Sequence, residues 1–371
     1  MTRFLLFIIF SIALQQKAYL QNYVPLDTLH WEINAQSYIL ENYKGKDAIY
    51  IQRGLAFLKD EKFLNGTIEF DVYLTKRQGF PGVRFRTSSD RLNMESFYLR
   101  AHLPNKPDSN QAIPVINGMS PWQLYFGPSY SVPFDYDYND WTHVKLVING
   151  KKAQAYLDYS EKPNLSWNLV HEPKEGGIAI GGGGAGPMHY ANFKLNKEEY
   201  EIVDFNPAKR KPIQGLIQAW EVSDKFEEKQ LDNLNTLKPL IAKRKWGKKI
   251  RVEEGTAANI ARQVVLNDGT SNNTVFAKIR IISDKDQTKL FEFGYSDRVV
   301  AILNDTPLYK GSNQYRSRDY RYLGTIGLFD AIYLDLKKGE NILLMAVSET
   351  FGGWLITGKF KDLQGITIKY D

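Results

Sequence analysis

Trp141 to Ile148 is an apolar strand pattern; Asn149 and Gly150 follow, and Ala153 to Asp158 reads as a second strand. Two strand runs around an Asn-Gly pair specify an antiparallel hairpin, because a turn with positive φ at its centre matches the right-handed twist of the flanking strands. A two-residue period recurs from about Trp31 to Leu195. In Thr67–Leu74, Ile68, Phe70, Val72 and Leu74 share one face and leave Glu69 and Asp71 on the other. Gly82–Arg86 sets Val83 and Phe85 against Arg84 and Arg86, and Phe97–His102 continues the pattern. Many short strands punctuated by turns stack face to face as a sandwich.

Near residue 200 the character changes. Residues 201–212 end in a basic stretch bracketed by Pro207 and Pro212, without periodicity, and read as a linker. Beyond a short helical pattern carrying Leu231, Leu234, Leu237 and Leu240, strands resume at Val275–Ile282, Leu290–Phe293, Val299–Leu303 and Ile342–Val347. The chain has 371 residues, enough for about two domains with cores of their own. The expectation is an all-β chain of two tandem β-sandwich (jelly-roll) domains, 25–200 and 213–371.

The first residues place Arg3 ahead of an apolar run from Phe4 to Leu14, closed by Gln15, Gln16 and Lys17. Such a run is too short to span a bilayer and fits a signal peptide over residues 1–18, so export to the periplasm or the exterior is expected. The sequence has no cysteine. That excludes a disulfide framework, a thiolate metal site and a cysteine nucleophile, and in an exported chain it fits a bacterial source. No later stretch approaches the length of a transmembrane helix.

Three stretches carry a family resemblance in the first half: Asn65–Val72, Gly82–Arg86, and Trp141–Val147 with its Asn149-Gly150 turn. They resemble the concanavalin A-like lectin/glucanase superfamily, and within it the secreted domains related to 3-keto-disaccharide hydrolases. The second half resembles a galactose-binding-like jelly roll. There Val300–Asp305 matches a strand-and-turn pattern "x-V-x-L-N-G", with Asp305 where Gly is usual, and Leu336–Leu343 matches "L-x-x-G-x-N-x-L" around Gly339. The first resemblance implies a sandwich that binds or cleaves glycosides, and the second a sugar-binding module.

Candidate chemistry follows from the polar faces. Glu69 and Asp71 are two apart on a strand, so both carboxylates share one face. Glucanases of the resembled superfamily carry "E-x-D-x-x-E"; here Tyr73 and Leu74 follow Val72 and the closing carboxylate is missing. Glu95 is a further carboxylate for an active-site pairing, and His102 and His143 are candidate general acids or bases. Arg84, Arg86, Tyr98, Arg100, His102, Gln123, Tyr125 and His143 oppose the apolar alternates of their strands. Together they would form a basic, aromatic face, since sugars stack on rings while planar polar groups meet their hydroxyls. In the second half, Arg316, Arg318 and Tyr320 fall in an Arg-Tyr-rich segment suited to an anionic ligand or a domain seam, and Trp354 follows a Gly-Gly pair.

Two attractive motifs are discounted. The glycines of 181–186 precede an expected strand and not a helix, so they do not make a phosphate cradle. Lys243–Arg251, with six basic residues, reads as a solvated basic turn or a contact for an acidic polysaccharide or anionic envelope; export argues against nucleic acid. No cofactor is evident, and structural calcium held by backbone oxygens and scattered acids would leave no motif. The formal charge of +6 sits largely in these basic segments. The expected function is an exported carbohydrate-binding protein. The alternatives are a glycoside hydrolase acting in the first sandwich and a structural or adhesion protein, and oligomeric state is not legible.

Overall fold

The computed structural model describes residues 23–182, 188–198, 200–314 and 325–370. The expected signal segment and the Arg316, Arg318 and Tyr320 candidates lie outside these residues. The chain is all-β, and its described residues divide into two compact units, one reaching to residue 114 and resuming over 127–208, the other of 115–126 and the residues from 209 onward. The excursion of residues 115–126 into the second unit has no counterpart in the sequence reading.

The first unit contains β1 (Trp31–Tyr43), β2 (Lys46–Leu58), β3 (Gly66–Leu74), β4 (Gly82–Thr87), β5 (Met94–Leu99), β6 (Asn110–Val115), β7 (Asp140–Asn149), β8 (Lys152–Leu157), β9 (Leu165–Asn168), β10 (Gly177–Gly182) and β11 (His189–Asn196). They are ordered β6-β5-β4-β10-β2-β11-β3-β7-β8-β9, with β1 on β2. Ile68, Phe70 and Val72 of β3 are fully buried, as are Phe85, Phe97, Val144, Leu146, Ile178, Ile180 and Tyr190, and the Phe70 and Tyr190 rings lie 5.7 Å apart. Tyr190 satisfies its buried hydroxyl by accepting the Gly82 N–H at 2.9 Å.

The β7–β8 hairpin forms with Asn149 opposite Lys152, so its two turn residues are Gly150 and Lys151. Gly150 has φ +58°, as the first central position of a type II′ turn requires. Strand β5 ends at Leu99, so Arg100 and His102 belong to the following turn and not to the strand.

The second unit contains β12 (Ala219–Ser223), β13 (Trp246–Glu253), β14 (Ala257–Asn259), β15 (Thr274–Ser283), β16 (Gln287–Ser296), β17 (Arg298–Leu303), β18 (Thr306–Ser312), β19 (Asp330–Leu336), β20 (Gly339–Ser348), β21 (Leu355–Phe360) and β22 (Ile366–Lys369). Their order is β18-β17-β20-β15-β12-β13-β14-β21-β16-β19, with β22 on β15. The core draws on Trp220, Val275, Ile279, Phe291, Phe293, Tyr295, Val347, Trp354 and Ile356. The helical pattern after Phe226 is a pair of short 3₁₀ turns and one short helix, Leu237–Ala242. Its Leu231, Leu237 and Leu240 pack on Phe226, Phe276 and Leu344. The basic stretch is strand and not turn from Trp246 onward, with Ala219 opposite Arg251. Asn304 and Asp305, both at positive φ, close β17 onto β18, with Asp305 where Gly is usual in the resembled pattern.

Phe70 fills the core of the first unit at zero exposure. Phe70→Ala is expected to destabilise that unit by about 3–5 kcal/mol, read as a lowered urea midpoint with unchanged slope.

Candidate functional site

The outward face of β3 and its neighbours gathers the ionisable groups. Registry sets Glu69 opposite Lys145, Asp71 opposite His143 and Tyr73 opposite Trp141 across the β3–β7 pair. His143 Nδ1 lies 2.7 Å from Asp71 Oδ1, and its Nε2 lies 3.3 Å from Glu69 Oε2. One imidazole therefore bridges both carboxylates. The second oxygen of Asp71 accepts from Lys46 Nζ at 2.7 Å and from Asn192 Nδ2 at 2.6 Å. Asn192 reaches it because β11 carries an irregularity between Ala191 and Lys194 that sets Asn192 at φ +52°; a bulge re-aims a side chain in this way.

Burial opposes charge on Asp71, but the hydrogen bonds from His143, Lys46 and Asn192 outweigh it and hold the carboxyl below its ordinary range. For Glu69 the bond to His143 dominates over burial, and the charges of Lys145 and His143 add to it, with the same net direction. Burial likewise opposes the imidazolium, and the bonds to Asp71 and Glu69 overcome it, raising His143 above the usual histidine value. The arrangement favours an imidazolium between two carboxylates, with Lys46 as a second cation beside Asp71.

Aromatic rings frame the cluster. Tyr159 stacks on His143 with centroids 4.2 Å apart and planes 5° apart, and is 70% exposed. Toward the other end, Tyr73 and Trp141 pack edge-on at 5.5 Å, and Lys46 lies 4.9 Å over the Trp141 ring. Beyond them Tyr43 stacks on His189 at 3.6 Å, and His189 Nε2 pairs with Glu41 at 3.0 Å. Burial lowers the His189 pKa despite Glu41, so the two histidines are shifted in opposite directions.

The expected arginine–aromatic face does not assemble. Arg86 sits at φ +51° beside a register shift between β10 and β4. Its guanidinium turns inward and donates to the carbonyls of Leu64 at 2.7 Å and Gly150 at 2.7 Å. Arg100, 2% exposed, forms a buried network with Tyr98, Gln111 and the Asp108 carboxylate, and so holds the turn after β5. Arg84 is half-buried, opposite Ser96 on β5 and Ala179 on β10, and burial lowers its pKa. His102 packs edge-on against Phe80. Glu95 is buried and accepts the N–H groups of Val170 and His171 at 2.8 and 2.7 Å, so it is an anchor for that loop and not a partner for Asp71.

Gln123 and Tyr125 belong to the second unit. There Gln123 accepts from Gly353 N at 2.9 Å and Tyr125 donates to Glu253. Trp354 is core: it has zero exposure and donates its indole N–H to Val347 O at 3.0 Å, so no ring face is available to a sugar. Of the expected residues, Glu69, Asp71 and His143 come together on the outward face of β3 and β7, while Tyr98 and Arg100 meet in the buried network after β5. Lys46, Asn192, Tyr159, Trp141 and Tyr73 complete their surroundings without having been singled out. The alternation of Trp141–Ile148 places Trp141 on the His143 face, whereas nothing in the sequence marks the Asn192 bulge.

Among the described residues, no group of three or more His, Asp or Glu side chains is arranged to hold a metal ion. No helix among them is long and apolar enough to cross a membrane.

No protein-family model matches the sequence, and no curated protein matches it. Among solved structures the chain is similar to the carbohydrate binding module CBM66 from Bacillus subtilis, at 14% identity over 45% of this chain and 95% of that one, with a TM-score of 0.34. It is also similar to a putative glycosyl hydrolase from Parabacteroides distasonis, at 14% identity over 49% and 96% of the two chains, TM-score 0.34. A third is the Bacillus licheniformis beta-glucanase, at 12% identity over 47% and 96%, TM-score 0.34.

Two outcomes follow from this geometry. The folded-state pKa of His143 is raised, so its contribution to stability is complete below about pH 6.5 and fades as pH rises through the folded value. Those of Asp71 and Glu69 are lowered, so theirs is complete above about pH 4 and fades as pH falls. Stability from the cluster should thus be greatest between those limits, and an NMR titration should place His143 above the ordinary value; a value at or below it would disprove the ion triad. Separately, Arg86→Met strands two carbonyls and should cost about 2–3 kcal/mol in chemical denaturation.

Proposed function

We propose that the first unit is an exported carbohydrate-recognition module, and that it binds a saccharide on the outward face of β11-β3-β7. The observation that carries this reading is the exposed Tyr159 ring stacked on the His143–Glu69–Asp71 triad. A ring face and charged hydrogen-bonding groups are thereby held side by side on rigid strands. Sugar C–H faces stack on aromatic rings, and fixed polar groups beside them select hydroxyl geometry. The side chain of Glu69 keeps 22% of its surface exposed, leaving acceptor capacity for a hydroxyl, and Trp141 offers a second half-buried ring near Lys46.

Binding is favoured over hydrolysis by the charge state. A glycosidase pair needs one carboxyl kept protonated as the acid. Here both carboxylates contact the same imidazole and are held below their usual range. A glycan array probed with the purified chain, followed by titration calorimetry on any hit, tests the proposal. Tyr159→Ala and Glu69→Gln should each weaken binding roughly tenfold, with the saccharide recovered intact. Absence of any glycan binding at millimolar ligand, or binding indifferent to both substitutions, would overturn it.

A further inference from the structure

The basic stretch that becomes β13 shares its outward face with cations from three neighbouring strands. Trp220 and Val222 of β12, Ile250 of β13, Ile279 and Ile281 of β15 and Ile366 of β22 point into the core of the second unit. The two-residue period therefore turns Lys249, Arg251, Lys278, Arg280 and Lys369 to the opposite face. Registry gathers them into rows. Lys249 and Lys278 flank Glu221 of β12 on either side, Arg251 lies opposite Ala219, and Arg280 lies opposite Lys369.

Charge in these rows is one-sided. Lys278 pairs with Glu221 at 2.8 Å and lies 3.7 Å over the Trp246 ring. Lys249 donates its ammonium group to the Tyr370 carbonyl. Among the described residues, no carboxylate lies within ion-pair distance of Arg251, Arg280 or Lys369. Five cations against the one carboxylate of Glu221 leave four positive charges uncancelled in these rows. Like charges directly opposite one another in a sheet are destabilising, and Arg280 and Lys369 are such a pair. Anionic groups brought from outside would relieve that repulsion.

The relief of the face narrows the choice of partner. Strands β12 and β22 follow one another along the same edge of β15, at Ala277–Lys278 and Arg280–Ser283. The gap between them is a narrow cleft lined by Ala219, Lys249, Lys278, Arg280, Lys369 and Tyr370. Lys278 is 9% exposed and Arg280 is half-buried, so a flat lipid surface would meet the rim and not these groups. An extended polymer chain can enter such a cleft. The exposed Tyr370 and the half-buried Trp246 stand beside the cations. Rings next to ammonium and guanidinium groups suit a sugar chain that carries acidic substituents.

We propose that the outward face of β13-β12-β15-β22 binds an acidic polysaccharide, whose carboxylates or sulfates meet Lys249, Arg251, Arg280 and Lys369. This face belongs to the second unit and uses none of the residues around Tyr159, so its failure would leave the first unit's saccharide reading untouched.

The test uses the full chain with polygalacturonate for carboxylates and dextran sulfate for sulfates, read by affinity electrophoresis. Duplex DNA is run in the same way, and phosphatidylglycerol vesicles are read by co-sedimentation. At about 50 mM salt the chain should bind at least one of the two polysaccharides, and binding should weaken steeply as salt is raised. Arg251→Ala combined with Lys369→Ala, both at exposed positions, should weaken binding by roughly tenfold or more. Lys162→Ala combined with Lys174→Ala, which removes two exposed cations of the first unit, should leave it unchanged. Tyr159→Ala should leave it unchanged as well. Failure to bind either polysaccharide overturns the proposal, as does tighter binding to DNA or to the vesicles. An equal loss from the Lys162 and Lys174 pair also overturns it, since overall charge would then account for the binding.

Discussion

The two-residue period of β3 holds the first unit together from both sides at once. Ile68, Phe70 and Val72 point inward and are fully buried, while Glu69, Asp71 and Tyr73 point outward from the same nine-residue strand. Each inward ring removes apolar surface from water, and the same step fixes where the intervening carboxylates emerge. Asp71 is itself covered, at 1% exposure, so the strand can sit where it does only because His143, Lys46 and Asn192 meet both carboxylate oxygens. A buried carboxylate left unpaired would oppose the packing that the other face demands. Core and candidate site are therefore two consequences of one register.

Departures from regular strand geometry decide which side chains join the site. At Arg86 a positive φ beside a register shift turns a long cation from the outer face to the backbone carbonyls of Leu64 and Gly150. At Asn192 a comparable irregularity in β11 does the opposite and brings an amide to Asp71. Arginine satisfies two carbonyls with one planar fork, which makes it an effective tie between the strand and the β7–β8 turn. One irregularity removes an expected binding residue and the other adds an unexpected one.

In the second unit the same logic runs through strand ends. The close of β16, the start of β17 and the end of β20 meet at Asp297 and Glu349, and the chain between Thr350 and Phe351 is pinned to Asp297 by two backbone N–H groups. Trp354 lies just beyond that turn, fully buried with its indole N–H satisfied by Val347. A ring expected to meet a ligand is a core residue, and the Gly352-Gly353 pair before it lets the backbone approach Gln123 and Pro121 closely: a side chain on either glycine would collide with those residues.

The sequence by itself determined the all-β class, the inward and outward faces of β3 and β7, and the pairing of Glu69 with Asp71 on one face. Those features are local: alternation and turn chemistry act between residues a few positions apart. Only the tertiary structure decided that His143 would bridge the two carboxylates and that Lys46 and Asn192 would balance them. It alone withdrew Arg86, Arg100, Glu95 and Trp354 from the surface, and it placed residues 115–126, with Gln123 and Tyr125, in the second unit. Each of these rests on contacts between residues far apart in the chain, or on a single backbone irregularity, and a two-residue period carries no record of either.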